Sequence, residues 1–136
     1  MAETVVTKSA TASVDVSTAV VNQPLTGLIA GEDIALCDLV YLKSDGKIWR
    51  ATAAAANAAA KAIGIAPRAA KSGQPITVIP GPNQVVRYSD AGFGTPGVLL
   101  FVGETAGALS SIATTGDAVG FAQVIDSSNI RLIRAY

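Results

Sequence analysis

The chain of 136 residues contains no histidine and one cysteine, and only 15% of its residues are charged. The absence of histidine excludes the usual general base, the Ser-His-Asp arrangement and most transition-metal sites. The single cysteine, Cys37, lies in the apolar run Ile34–Cys37. It has no partner for an internal disulfide, and we expect it to be a small buried hydrophobe. The sequence therefore predicts a protein that is not an enzyme and that uses no metal and no cofactor.

The chain also has no excess of positive or negative charge, because ten basic residues balance ten acidic ones. Nucleic acids and anionic membranes require a basic excess on their partner, so we expect neither to bind. No apolar run approaches the roughly 20 residues of a membrane span, and no secretory signal is visible at the N-terminus. A neutral surface does not repel its own copies, which favours self-association or incorporation into an assembly. We expect a protein that is made in the cytoplasm.

Residues 1–24 differ in sequence pattern from the remainder of the chain. Between Ala10 and Val20, apolar residues alternate with serine, threonine and aspartate, and Pro24 ends the pattern. A period of two predicts an extended strand with one apolar and one polar edge. Such a strand either pairs with its own sheet or acts as an arm that adds to the sheet edge of another molecule. We predict an extended N-terminal arm over residues 1–24.

Residues 25–136 form one predicted domain of short strands and turns, which is typical of an all-β fold. Asp45-Gly46 lies between two apolar runs, where we expect a two-residue type I′ hairpin turn. The alanine-rich stretch Thr52–Lys61 predicts one short helix packed on the β body. The predicted strands are Asp38–Lys43, Lys47–Thr52, Ile63–Ala66, Ile76–Ile79, Val85–Tyr88, Val98–Val102, Leu109–Ile112, Ala118–Val124 and Asn129–Ile133.

The second half of this domain repeats the order of the first. Residues 39–79 and 99–133 each contain a strand, a turn, a second strand, a small-residue strand and a final "I-x-[VL]-I" strand. The tightest match aligns Ala62–Ala66 (AIGIA) with Ala118–Ala122 (AVGFA). Internal similarity of this kind predicts a compact, barrel-like body of two similar halves, connected by Pro80–Thr95.

Two motifs suggest enzyme chemistry but do not fit it. Residues 92–97 (GFGTPG) match G-x-G-x-x-G, yet a predicted strand follows where a dinucleotide site needs a helix. Asp45-Gly46 and Thr115-Gly116-Asp117 differ from the D-[ST]-G turns of aspartic proteases and lie where β-turns are expected. A hydrolase with a carboxylate pair is therefore the weakest alternative.

The hairpin raises a second alternative at Lys47. Lipoyl and biotinyl carrier domains present a modified lysine on an exposed hairpin, but that lysine occupies the turn itself. Lys47 instead begins the return strand, so we expect a solvated strand residue. Trp49 on the same strand is the predicted subunit-interface residue, because tryptophan is enriched at interfaces.

Residues 25–79 resemble the capsid cement, or decoration, proteins of tailed bacteriophages. The C-terminal half matches this family more loosely, through its "A-V-G-F-A". The resemblance implies a β-tulip-like body that trimerises on the outside of an icosahedral head, and an N-terminal arm that staples major capsid subunits. The shared outline is "G-x-x-A-G-E-x-[IL]" at 27–34, "D-L-V-Y-L-x-S-D-G-K" at 38–47, an alanine-rich stretch, "A-I-G-I-A" at 62–66 and "A-x-x-G-Q-P-I-T-V" at 70–78.

From this resemblance we expect a structural virion protein on the outer capsid surface. Its expected partners are the major capsid protein and its own copies in a homotrimer, with no small-molecule substrate. A head-fibre or tail component with the same β body is the nearest alternative, followed by a carrier domain modified at Lys47. The arm residues expected to contact the capsid are Val5, Val6, Val14, Val16 and Val20.

Overall fold

A computed structural model of the protein describes residues 3–8, 25–88, 95–126 and 128–134. These ranges are nearly all β, with two curled antiparallel sheets that each form a half-barrel, which confirms the predicted all-β class. One short 3-10 helix, Ala58–Ala60, is the only helix in them, and none of the described helical structure is long and apolar enough to cross a membrane. The strands are β1 (Val5–Val6), β2 (Leu25–Ile29), β3 (Leu39–Leu42), β4 (Ile48–Arg50), β5 (Gly64–Ile65), β6 (Pro75–Pro80), β7 (Val85–Arg87), β8 (Leu99–Val102), β9 (Leu109–Ser110), β10 (Ala122–Val124) and β11 (Asn129–Leu132).

The two sheets share one topology. The first has the strand order β2-β6-β5-β3-β4, and the second has the order β1-β9-β8-β10-β11-β7. Without β1 and taken from its other end, the second sheet has the order β7-β11-β10-β8-β9. This is the order of the first sheet with β7 to β11 in place of β2 to β6. The two similar halves predicted from the sequence are therefore present as two five-stranded units, and β1 is an addition to the second.

The strand register differs between the halves by two residues. Val40 lies opposite Gly64 in the first sheet, whereas the corresponding Leu100 lies opposite Ala122. The sequence repeat had aligned Gly64 with Gly120, which instead precedes β10 with a φ of 114°. Because side chains alternate with a period of two, this shift keeps the same residues on the core face. The predicted alignment is thus wrong by two residues in this strand.

The hairpin of β3 and β4 closes with a three-residue loop, Ser44–Gly46. The Lys43 N–H donates to the Lys47 carbonyl at 3.0 Å, and the Gly46 N–H donates to the Lys43 carbonyl at 2.9 Å. Gly46 has a φ of 82°, and Asp45 is not in the positive-φ region. The hairpin prediction is confirmed, but the predicted two-residue type I′ turn is wrong. Asp45 accepts the Lys47 N–H at 2.9 Å, which favours this wider loop with one left-handed glycine.

The predicted helix over Thr52–Lys61 is reduced to the single turn Ala58–Ala60. Ala53 is fully buried, and its N–H donates to the Gly103 carbonyl at 2.8 Å. Its own carbonyl accepts the Gly116 N–H, also at 2.8 Å. Backbone bonds to the second half therefore take the place of helical bonds, and tertiary contacts override the helix propensity of alanine.

One predicted strand is shorter than expected, and one strand was not predicted. The strand predicted over Ala118–Val124 begins at Ala122, because the Asp117 carboxylate accepts the N–H groups of Val119 at 3.1 Å and Gly120 at 3.0 Å. These two amides therefore do not hydrogen-bond to the neighbouring strand. β2, next to β6 in the first sheet, was not among the predicted strands.

The main hydrophobic core joins the two sheets. It includes Leu39 and Ile65 from the first half and Leu100, Phe121 and Ile130 from the second, all with 0% exposure. A smaller cluster, which includes Val78 and Ile48, lies within the first half.

Cys37 belongs to the main core, which confirms its prediction as a buried apolar residue. Burial raises the pKa of its thiol to about 11, although the ammonium group of Lys8 opposes this shift. The thiol therefore stays protonated and unreactive at neutral pH.

Candidate functional site

The N-terminal segment, residues 3–8, forms an edge strand of the protein's own second sheet. β1 pairs antiparallel with β9, and Val5 lies opposite Ser110. Next to this pair, the Ser111 N–H donates to the Thr4 carbonyl at 2.9 Å. Val6 packs against the main core, whereas Val5 is 44% exposed. The segment therefore buries one side chain in the core and leaves the next one accessible.

The Glu3 carboxylate fixes the first end of this segment. It accepts the Thr105 N–H at 2.9 Å, and it also accepts hydrogen bonds from the Glu104 N–H and the Thr105 hydroxyl. Burial opposes ionisation of this carboxyl, but the bonds from Thr105 and Glu104 outweigh it and lower its pKa from the ordinary value. Ionised Glu3 thus acts as a cap on the turn at residues 104–105.

An ion pair fixes the second end. The Lys8 Nζ lies 2.8 Å from Oδ1 of Asp38 and also donates to the Leu36 carbonyl. Asp38 is 6% exposed, and its other carboxylate oxygen accepts the Ala35 N–H at 2.8 Å. The segment consequently starts on the second half of the molecule and ends on the first.

Within the predicted arm, residues 1–24, the structure describes residues 3–8. Residues 3–8 belong to the folded body, because the N–H and C=O groups at the outer edge of β9 take their partners from this chain. Val5 and Val6 pair with the protein's own sheet, whereas the alternating residues between Ala10 and Val20, to which the two interpretations apply, lie outside the described residues. The outer edge of β1 carries no further strand among the described residues, and capsid contact by these two valines stays a prediction. The predicted contact residues Val14, Val16 and Val20 lie outside the described residues.

Trp49 is half-buried and packs against the main hydrophobic core. Its indole N–H donates to the Asp45 carboxylate at 3.1 Å, and the Lys43 ammonium lies 4.1 Å from the centre of a ring. Gly31 lies directly beneath the indole, since a Cβ there would be 2.2 Å from the Trp49 Nε1. The tryptophan is therefore positioned by contacts within the chain, and its role at a subunit interface stays a prediction.

Lys47 is exposed, but it lies after the turn and directly before β4. Its backbone N–H bonds to Asp45. The strand predicted to begin at Lys47 thus begins one residue later, and Lys47 still differs from the turn position that a carrier lysine occupies.

A groove of about 530 Å³ lies on the first half, beside the Lys8–Asp38 ion pair. Arg50 reaches it from β4 and pairs with the Glu32 carboxylate at 3.4 Å, while its Nε is buried with no hydrogen-bond partner. Lys71, which also lines the groove, pairs with Asp33 at 3.8 Å. The groove is lined by Asp33, Ile34, Ala35, Asp38, Arg50, Ala69, Ala70, Lys71 and Gln74.

The carboxylates of the predicted turns have structural roles. Asp117 accepts the N–H groups of Val102, Val119 and Gly120 and is 7% exposed. The described part of the chain contains no cluster of three or more histidine, cysteine, aspartate or glutamate residues that could hold a metal ion. Of the G-x-G-x-x-G match, residues 95–97 form a turn before β8, and residues 92–94 lie outside the described ranges.

Sequence reasoning did not find Glu3, Lys8 and Asp38. An acidic and a basic residue flank the valine pair of β1, but such flanking is common on solvated strands and does not by itself indicate a docking segment. Comparison of the chain with protein families and with curated proteins found no match.

Proposed function

We propose that the protein is a structural decoration subunit that binds the outer surface of an assembled phage capsid and stabilises it. The outline shared with decoration proteins covers residues 25–79, which is the span of the first sheet. The second sheet repeats that strand order, in agreement with the looser match in the C-terminal half. The fold class and the resemblance thus support the same proposal.

The observation that carries the proposal is the position of β1. This strand lies at the end of the second sheet, no described strand pairs with its outer edge, and the alternating pattern between Ala10 and Val20 follows it in the sequence. An edge strand offers main-chain N–H and C=O groups to a strand of another protein. Main-chain and apolar contacts suit a neutral protein, because salt screens them far less than contacts between charges. Three copies in a trimer would add avidity to each weak contact.

Capsid binding is tested by charging one edge of the alternating pattern. The variant Val14→Asp/Val16→Asp/Val20→Asp places three charges on its apolar edge, while Thr11→Asp/Ser13→Asp/Ser17→Asp places the same charges on its polar edge. Both variants retain residues 3–8 and the β body. We expect the first to lose at least tenfold in co-sedimentation with undecorated heads of the cognate phage, and the second to bind normally. Equal binding by both variants would contradict the proposed contact between the arm and the capsid.

The carrier alternative has one observation in its favour, the exposure of Lys47. Intact mass measurement of the natively expressed protein distinguishes it, because a lipoyl or biotinyl group adds a fixed mass to that residue. A tail component would bind tails in negative-stain images and leave the head surface bare, and a head-fibre component would be seen as fibres that project from the head.

A further inference from the structure

The two halves close the same sheet edge in different ways. In the first half, the outer edge of β4 is covered by residues 30–32, which directly follow β2. The Gly31 N–H donates to the Ile48 carbonyl at 2.8 Å. The Glu32 carboxylate then accepts the Arg50 N–H at 3.0 Å. In the second half, β9 corresponds to β4, but its outer edge is covered by β1, from the opposite end of the chain. The second half is therefore incomplete without a strand that is not contiguous with it.

The β9 edge has the features of a strand-acceptor site. It offers the amide and hydroxyl donors of residues 104–105 to an acid at one end of the incoming segment. It offers the Asp38 carboxylate and the Leu36 carbonyl to an ammonium group five residues further on. Between them lie the ladder of β9 and the core contact made by Val6. The site thus fits a segment with an acidic residue at its first position, a core-facing valine at its fourth and a lysine at its sixth. Residues 3–8 supply these as Glu3, Val6 and Lys8.

We propose that residues 3–8 are an exchangeable strand, so that the β9 edge of one copy accepts residues 3–8 of a second copy. Sixteen residues, 9–24, separate this segment from β2. Extended chain covers about 3.3–3.6 Å per residue, so these residues reach up to roughly 55 Å. A domain of this size has a radius of gyration of about 13 Å. The connection is long enough to deliver the segment to a neighbouring copy as well as to its own.

Exchange costs no contact, because the acceptor site and the segment are identical in every copy. A linker of this length holds its own segment at a local concentration of order mM, and copies packed in one assembly reach a similar value. Exchange around a closed ring would fill every β9 edge and link the copies at the same time. The inference concerns contacts between copies and holds whether or not the protein binds capsids.

Disulfide trapping tests the exchange. The Thr4–Ser111 hydrogen bond makes Val5 and Ser110 the adjacent non-hydrogen-bonded pair, whose Cα atoms are about 4.5 Å apart and suit a disulfide. Val5→Cys and Ser110→Cys are made in separate chains that both carry Cys37→Ala, mixed at about 1 mM, unfolded, refolded and oxidised. The control replaces Ser110→Cys with Ile112→Cys, a more exposed position two residues away.

We expect the Val5–Ser110 cross-linked hetero-dimer, identified by peptide mass, to exceed the Ile112 control several-fold. A second pair, Thr4→Cys with Ser111→Cys, uses two exposed positions and serves if the buried Ser110 substitution disturbs folding. Yields equal to the control for both pairs would overturn the proposal. So would a chain with both Val5→Cys and Ser110→Cys that forms only its internal disulfide under the same conditions.

Discussion

The carboxylate of Asp117 takes the place of a strand partner for three backbone amides, those of Val102, Val119 and Gly120. Asp117→Ala removes this acceptor from the buried Val102 and Gly120 amides and from the partly buried Val119 amide, and each buried unsatisfied group costs about 1–3 kcal/mol. We expect a loss of about 2–4 kcal/mol in the free energy of unfolding, measured by urea titration.

Asp126 provides the matched control, since its carboxylate also accepts two backbone amides, from Ser128 and Asn129, both at 2.8 Å. These bonds lower its pKa, but the group is exposed and water replaces them on substitution. Asp126→Ala should therefore have a much smaller effect than Asp117→Ala. Equal losses would show that burial does not set the cost at Asp117.

Gly31 is required by the indole that lies on it, because an added Cβ would meet the Trp49 Nε1 at 2.2 Å. Gly31→Ala displaces the ring from Asp45, and we expect a loss of about 1–3 kcal/mol, as for other overpacked sites. Trp49 is the single tryptophan of the chain, so its emission spectrum reports the displacement directly. Gly73→Ala is the control, since it strains a residue with a φ of 87° but contacts nothing within 4 Å. A spectrum unchanged by Gly31→Ala would contradict the contact.

Among the elements, β1 is held in part by a titrating group. The pKa of Glu3 is lower in the folded protein, so its ionised form stabilises the fold at pH values above its unfolded pKa of roughly 4.3. This contribution is lost as the pH falls through the folded pKa. We expect Glu3→Gln to be less stable than the unmodified protein at pH 7 and the difference to shrink as the pH is lowered below the unfolded pKa.

The measurement is the urea midpoint of both proteins across this pH range. Glu104→Gln removes the same charge from the neighbouring turn but leaves the amide bonds to Glu3 in place, so its difference should be smaller. A Glu3→Gln difference that is constant with pH would rule out the carboxylate as the origin.

Elements with strong local signals were predicted well. The hairpin of β3 and β4 follows from two apolar runs around Asp45-Gly46, and only its loop length was wrong, because a side-chain hydrogen bond selected the longer loop. The helix predicted for the alanine-rich stretch was mostly wrong for the opposite reason. The helix propensity of alanine competes there with backbone hydrogen bonds to Gly103 and Gly116, which are distant in sequence. The Lys8–Asp38 ion pair has no local signal, because thirty residues separate its members. Local pattern therefore identified most of the strands but not β2, while the contacts that join the halves required coordinates.

For the molecule as a whole, the duplication produces two sheets that share one core rather than two independent domains. Leu39 and Ile65 from the first sheet and Leu100, Phe121 and Ile130 from the second belong to one buried cluster. Backbone bonds cross between the halves as well, such as the Leu39 N–H to the Gly107 carbonyl at 3.0 Å. Neither sheet covers its apolar face alone, so we expect the halves to fold as one cooperative unit.

Phe121→Ala tests this cooperativity from the second half. Removing a fully buried phenylalanine costs about 3–5 kcal/mol. If the core is shared, the unfolding transition seen by Trp49 fluorescence in the first half should shift by the same amount as the transition seen by far-ultraviolet circular dichroism. Val119→Ala, at a position that is 65% exposed, should shift neither. A Trp49 transition that stays in place while the dichroism transition moves would mean that the halves unfold separately, and the shared core would then not couple them.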